Sequence, residues 1–377
     1  MIGAMVLALA VANSPLEPLY YQLHHAPVHV RFGGMIIGRP LVEWINEGLM
    51  TFFFLAVGLE IKRQLLEGHL ASRKAAALPA VAAIGGIVTP AAVYAAVTWG
   101  DPVSLKGWAI PTATDIVLAL GALSLLGASI PAALKVFLTA LAIFDDLAAI
   151  LIIGLFYGAE LALYPVAIAA LSMLGLLALN KGNVRRLLPY GALGLVLWAA
   201  LLKSGIEATL AGVLVGLAVP LHAAERGCGR PLRDLERRLH PWVALLVVPL
   251  FAFFNAGIVI DPAALEGVPN PVPLAIIAGL FLGKQVGVMS LAWLAVKADI
   301  AALPRGVGWQ DVYGIALLAG TGFTMSLFVT TLAFTDPTLR DEAKLAIIVG
   351  SLLSAISGLA WLYCARHGRP AKSSRAC

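Results

Sequence analysis

Residues Ala132–Tyr157 read AALKVFLTALAIFDDLAAILIIGLFY, an apolar run with two adjacent aspartates, Asp145 and Asp146, near its middle. The run is long enough to cross a hydrocarbon layer as a helix, which takes about 20 apolar residues. A carboxylate at the centre of such a layer costs roughly 2.5–3.5 kcal/mol on insertion scales. Two carboxylates side by side are therefore kept for a purpose, and ion binding and proton traffic are the usual ones.

The rest of the chain fits the same medium. Of 377 residues, 60% are hydrophobic and 12% charged, and the mean hydropathy is +0.91. Ordinary soluble domains carry about twice that share of charge. With no water in the bilayer core, helices or a closed barrel are the spanning options, and the long continuous apolar runs here reject a barrel. Cys228, Cys364 and Cys377 are odd in number and lack metal-ligand spacing, so neither a disulfide framework nor a zinc site is expected. The fold class is thus an all-α polytopic membrane protein, a single transporter domain over residues 1–377.

Twelve hydrophobic segments can be drawn, near 1–13, 42–60, 76–99, 107–127, 132–157, 161–179, 188–202, 204–220, 241–260, 273–296, 312–334 and 343–364. The 26 Lys and Arg test this map. Nineteen of them, including Lys62, Arg63, Lys135, Arg233, Arg305 and the tail 366–377, fall on one side, and six (Arg31, Arg39, Lys106, Lys203, Arg340 and Lys344) on the other. Lys284 is left over inside a helix. By the positive-inside rule the map puts both termini in the cytoplasm. The net charge of +5 is absorbed by that asymmetry, and no nucleic acid is needed to explain it. Met1–Asn13 is too short to span and lacks a basic leader, so it reads as a truncated first helix and not as a signal peptide.

The segment between the first two helices, residues 28–41, alternates Val28, Val30 and Phe32, turns at Gly33-Gly34 and resumes at Met35. This predicts a periplasmic β-hairpin. A lone hairpin is marginal in water, so its expected partner is a second copy of itself.

Two segments look interrupted. In 107–127, Pro111 is followed within a turn by Thr112, Thr114 and Asp115; in 312–334, Gly320, Thr321, Gly322 and Thr324 weaken the helix at midspan. Either break alone could be a harmless kink. Two in matching positions predict inverted repeats, helices 3–5 and 10–12, with helices 4 and 11 discontinuous.

The charges left in the membrane are Asp115, Asp145, Asp146 and Lys284, at a nominal cost summing to roughly 10–14 kcal/mol. Ion pairing that merely pins helices together is the plain alternative. Adjacent helical positions point about 100° apart, however, so one aspartate can face Lys284 while the other faces a cavity. A carboxylate among hydroxyls and freed carbonyls suits a hard cation of the Na⁺ or Li⁺ type. Protons and cations then compete for the same oxygens.

These residues sit in longer matches: WINEGLM (Trp44–Met50), VGLEIKR (Val57–Arg63), GWAIPTATDI (Gly107–Ile116), LTALAIFDDLAAI (Leu138–Ile150), LKSGIEATLAG (Leu202–Gly212), HPWVA (His240–Ala244), PLFAFFNAG (Pro249–Gly257), Gly283-Lys284 and GFTMSLF (Gly322–Phe328). In this order they resemble the NhaA-type sodium/proton antiporters over nearly the whole chain from Ala12 onward, a family built on inverted repeats. The resemblance implies that Asp146 is the main cation-binding carboxylate and Asp145 its partner, salt-bridged to Lys284. It implies that Thr114 and Asp115 lie at the break of the fourth helix, with Asp115 compensating half-helix dipoles. It places Glu60, Arg63, Glu236 and His240 in a cytoplasmic pH-sensing cluster; without it, each would read as a solvated charge at a funnel mouth. It also implies a homodimer formed through the hairpin.

The chain departs from the family at Gln64, where a glutamate is usual, and at Glu207, where histidine is common; the loop after Pro220, with His222, does not align cleanly. A shifted or shallower pH response is expected. The overall reading is a bacterial inner-membrane antiporter exchanging cytoplasmic Na⁺ or Li⁺ for external H⁺, electrogenic and pH-regulated and not an enzyme. No phosphate-binding glycine motif appears, so neither ATP nor a cofactor is expected. The alternatives are a cation channel or symporter using the same carboxylates, and a transport-dead membrane sensor.

Overall fold

The computed structural model describes residues 1–32, 35–127, 130–158, 161–221, 230–259 and 270–367. In chain order the elements begin with α1 (Ile2–Ala12), α2 (Glu17–His24), β1 (Pro27–Phe32), β2 (Met35–Pro40) and α3 (Leu41–Leu66). There follow α4 (Lys74–Val97), α5 (Pro102–Thr112), α6 (Ile116–Leu125), α7 (Ala132–Phe156), α8 (Leu163–Lys181) and α9 (Leu187–Leu201). The chain continues with α10 (Leu210–Ala218), α11 (Pro231–Ala256), α12 (Pro271–Lys297), α13 (Trp309–Leu318), α14 (Phe323–Ala333) and α15 (Pro337–His367).

Among the described residues seven helices are long and apolar enough to cross a membrane, and ten spans result if each bent pair counts as one. The bent pairs are α1 with α2 at 115°, and α5 with α6 and α13 with α14 at 45° each. Large apolar side chains such as Leu155, Leu163, Leu188 and Leu245 stand exposed on the helices. In water such surfaces would aggregate; against hydrocarbon they are the expected outer face of a multi-pass membrane protein.

Several boundaries differ from those read in the sequence. The segment read over 204–220 is helical only across α10, because Gly205 takes a left-handed φ of +83° and Ser204 Oγ accepts from Ile206 N at 3.1 Å, making a polar turn that holds Glu207. The last helix starts at Pro337, six residues before the hydropathy signal, since Arg340, Asp341, Glu342 and Lys344 mask a first turn that proline favours. Similarly, α11 begins with the polar stretch Pro231–Trp242.

Contacts divide the chain into two units, Met1–Gly68 with Ile150–Glu266, and His69–Ala149 with Gly267–Cys377. In the first, β1 and β2 pair antiparallel from Pro27↔Pro40 to Phe32↔Met35, and Trp44 Nε1 donates to Val28 O at 3.2 Å. The Gly33-Gly34 turn, His222 and the tail beyond His367 lie outside the described residues. Helices α3 and α10 meet backbone to backbone: a Cβ on Gly212 would stand 2.1 Å from Thr51 O. Lys62 Nζ donates to Leu217 O and Val219 O at 2.7 and 2.6 Å, satisfying carbonyls at the end of α10.

In the second unit α4 and α12 approach just as closely. A Cβ on Gly85 would lie 2.0 Å from Gly287 O, and a Cβ on Gly287 the same distance from Gly85 O. Membrane helices use small residues in this way to gain packing where no hydrophobic drive exists. Leu78, Leu123, Leu141, Val288, Ile315 and Leu362 fill the core between these helices and α6, α7, α13 and α15. Arg366 Nη2 lies 2.8 Å from Asp311 Oδ1, and Asp311 Oδ2 accepts from Gly308 N at 2.8 Å, so the end of α15 is tied to the start of α13.

Candidate cation site

The breaks between α5 and α6 and between α13 and α14 meet inside the second unit. Asp115 N donates to Thr321 O at 2.6 Å, and Ser326 Oγ donates to Ile110 O at 2.7 Å. Each half-helix ends there with unmet backbone groups, positive at an N-terminus and negative at a C-terminus. Side chains meet them in a definite pattern.

Asp115 takes the positive ends. Its Oδ1 accepts from Leu118 N at 2.9 Å, capping α6; its Oδ2 accepts from Thr324 N at 3.1 Å and Thr324 Oγ1 at 2.6 Å, capping α14. One carboxylate, 2% exposed, thus serves two half-helices. The negative ends are met from α12. Lys284 Nζ donates to Thr112 O at 2.6 Å, to Thr114 Oγ1 at 3.0 Å and to Asp145 Oδ2 at 2.6 Å, which engages all three ammonium protons. Thr114 Oγ1 lies 2.6 Å from Asp145 Oδ2 and 2.7 Å from Ala319 O, and its single proton serves one or the other.

A π-helical turn over Gly279–Gly283 immediately precedes Lys284, and such turns collect at functional sites. Gly86 packs opposite: a Cβ there would press on Val288 Cγ2 at 3.0 Å and stand in ordinary contact, 3.6 Å, with Lys284 Cδ and Nζ. Lys284 and Asp145 are wholly withdrawn from solvent. Asp145 Oδ1 is buried and accepts no hydrogen bond from the described residues. Asp146, 4% exposed, is the next residue along α7.

Among the described residues no three His, Cys, Asp or Glu side chains are placed so as to hold a metal ion together. What the site offers is two adjacent carboxylates with threonine hydroxyls and freed carbonyls around them. Hard oxygens of this kind suit a small alkali cation and not a thiophilic or imidazole-seeking metal. The arrangement therefore brings together Asp115, Thr114, Asp145, Asp146 and Lys284. Sequence reading singled out the breaks but missed the bond from Thr324 to Asp115 and the carbonyl of Thr112. Its signal was there: Thr324 follows the glycine break within a turn, as Thr112 and Thr114 follow the proline.

The second predicted group lies in the first unit. Glu60, Arg63, Glu236 and His240 line one cavity of about 480 Å³ together with Ala56, Arg233 and Arg237. Arg63 Nε donates to both oxygens of Glu236 at 2.9 Å, and Arg63 Nη2 lies 3.7 Å from Glu60 Oε1. Arg233 bonds Glu67 at 2.5 Å. Arg233 and Arg237 were not singled out, although positions 233, 236, 237 and 240 repeat at helical spacing and mark one face of α11.

Comparison with known proteins agrees with the geometry. The family model described as Na+/H+ antiporter 1 matches residues 1–362. The Na(+)/H(+) antiporter NhaA of Rhodospirillum rubrum is 51% identical over 366 residues, covering 95% of this chain and 92% of the relative. That of Shewanella sp. (strain ANA-3) is 50% identical over 364 residues, covering 96% and 93%. The solved structure of the sodium proton antiporter MjNhaP1 from Methanocaldococcus jannaschii superposes with a TM-score of 0.57 at 16% identity, over 97% of this chain and 92% of that one, which shows a shared fold. The chain belongs to the NhaA family of Na⁺/H⁺ antiporters.

Proposed function

We propose that Asp146 is the principal cation-binding carboxylate of a Na⁺/H⁺ exchange cycle that also accepts Li⁺, with Asp145 and Thr114 completing the site and Lys284 and Asp115 balancing charge. The observation that carries this is the fully buried Lys284–Asp145 pair at 2.6 Å, set beside a second carboxylate at a crossing of two broken helices. A buried charge pair is a weak source of stability, so its retention beside another acid fits a working site better than a strut.

The exchange follows from the donor set. A cation arriving at Asp146 needs the carboxylate ionised, and a proton arriving there displaces the cation, so the two cannot be held at once. Each unit of pH gradient contributes about 1.4 kcal/mol per proton. If two titrating groups turn over per cation, one net charge moves, and the membrane potential adds roughly 2.3 kcal/mol per 100 mV. Electrogenic exchange is thus part of the reading.

The finer architecture is proposed with it: twelve spans, helices 3–5 and 10–12 as inverted repeats, and both termini cytoplasmic in the bacterial inner membrane. In that frame the Glu60, Arg63, Glu236 and His240 group faces the cytoplasm and regulates transport by pH, and the β1–β2 hairpin joins two copies as a homodimer. Supporting these are the charge asymmetry of the loops, the two 45° breaks and the paired register of the hairpin.

The test is Na⁺-driven proton flux in proteoliposomes carrying a trapped pH dye. An antiporter moves protons opposite to an imposed Na⁺ gradient; a symporter moves them with it, and a channel moves cations without coupled protons.

A further inference from the structure

Helix α14 begins without a cap of its own. Its N-cap residue is Gly322, which has no side chain to offer, and in a bilayer no water can take over. The missing acceptor comes from another helix. Ser351, 2% exposed on α15, accepts from both Gly322 N and Phe323 N at 3.2 Å. With Thr324 N on Asp115, three successive N–H groups are satisfied, two by a neutral hydroxyl and one by a carboxylate.

That division matters for the site. The Thr321 carbonyl, one residue before Gly322, holds Asp115 N at 2.6 Å, and the Ala319 carbonyl lies 2.7 Å from Thr114 Oγ1. Thr114 in turn touches Asp145 and Lys284. The start of α14 is thus two hydrogen bonds from the paired charges. There is no slack to absorb a shift: a Cβ on Gly320 would meet Leu280 O at 2.3 Å, and one on Gly322 would meet Leu280 Cδ2 at 2.9 Å and Ala113 O at 3.1 Å.

We infer that Ser351 is a positioning residue for cation binding: by capping α14 from the neighbouring helix, it fixes the height of the break and leaves Asp115 free to divide itself between α6 and α14. Without the hydroxyl, two buried N–H groups lose their acceptor, and Asp115, already bonded to the next N–H at Thr324, is the charged acceptor at that helix start. The carboxylate is then drawn toward α14 and away from Leu118, and the Asp115–Thr321 and Thr114–Ala319 contacts follow it. Displacements of about 1 Å at a distance from the reacting groups can cost two orders of magnitude in rate. The effect here is on the ligand geometry, so it falls on apparent affinity first.

Ser354 supplies the control. It lies one turn further along the same helix and is fully buried, and its Oγ makes no hydrogen bond. It touches the break by packing alone, its Oγ 2.4 Å from where a Cβ on Gly320 would stand, so Ser354→Ala removes a packing atom there and no hydrogen bond.

This inference rests on the assignment of the cation to Asp146 and Asp145, and Asp146→Asn checks that assignment separately by loss of Na⁺-dependent flux. The experiment here is the apparent KM for Na⁺ and the maximal rate for the full chain in proteoliposomes. Ser351→Ala is expected to raise the KM by roughly 5–10-fold, or about 1 kcal/mol, with the maximal rate within about twofold. Ser351→Thr, which keeps the oxygen, is expected to restore the KM, and Ser354→Ala to leave it unchanged. Should Ser351→Ala fail to accumulate, Ser351→Cys, with its weak sulfur acceptor, takes its place against Ser351→Thr. An unchanged KM in the Ala or Cys variant, or an equal rise in Ser354→Ala, overturns the inference. So does a KM that Thr does not restore.

Discussion

Lys284 Nζ lies 2.6 Å from Asp145 Oδ2, with neither side chain exposed, and its two remaining protons go to the Thr112 carbonyl and the Thr114 hydroxyl. The lysine is therefore held by three oxygens of two neighbouring elements, only one of which carries charge. Its loss leaves a buried carboxylate with no counter-ion, which is costlier than losing the pair together.

From this follows an asymmetric mutational cost. Lys284→Ala is expected to destabilise the protein by about 3–5 kcal/mol. The Asp145→Asn, Lys284→Gln double variant should recover much of the loss, since neutral amides need no counter-charge. Melting in detergent for Asp145→Asn, Lys284→Gln and the double variant, against wild type, closes a cycle. A coupling energy of zero would show that the pair does not act as a pair.

Asp146→Asn is expected to leave a folded protein that exchanges nothing. An amide keeps an oxygen for the cation but cannot trade a proton for it. Proteoliposome flux under an imposed Na⁺ gradient, beside a melting curve, separates lost chemistry from lost fold. Persisting Na⁺-dependent flux would take Asp146 out of the centre of the mechanism.

Thr324→Val removes the hydroxyl that donates to Asp115 at 2.6 Å while nearly conserving shape. Hydrogen bonds to a charged group contribute about 1.5–3 kcal/mol, and that is the expected drop in stability. Asp115 retains the backbone donors Leu118 and Thr324, so the fold should survive. Chemical denaturation against wild type measures it; no change would mean that the backbone donors suffice.

Gln64→Glu adds a titrating group in the turn of helix that carries Glu60 and Arg63. It is expected to steepen the pH profile of transport without altering the maximal rate, because it adds no group to the set Thr114, Asp115, Asp145, Asp146 and Lys284. Flux at saturating Na⁺ across about pH 6–9, where histidine titrates, decides the matter. An identical profile would place pH dependence in direct competition between protons and Na⁺ at the aspartates.

What could be read from the sequence was whatever violates the medium. Asp145, Asp146, Asp115 and Lys284 announce themselves because charge is out of place in a hydrocarbon run, and Pro111 and Gly320 because they interrupt one. Ser351 gave no such sign: a lone serine costs little in a membrane helix and looks like filler until a neighbouring helix end is seen to lack an acceptor. Boundaries failed where polarity and helicity part company. Residues 231–242 and 337–344 are helical but too charged to register as apolar, while 204–209 are apolar enough to be drawn as helix and are turned by Gly205. Hydropathy reports solvent, not backbone.

The contact of Gly85 with Gly287 limits how this molecule can move. Each backbone fills the notch left by the other's missing side chain, and a slide of one residue, about 1.5 Å, would drive Thr89 or Leu291 into the space. The two helices are keyed together like a tongue in a slot. Whatever displacement exposes the aspartates to one face of the membrane and then the other, α12 with its lysine must make the journey on the back of α4, as cargo and carrier in a single piece.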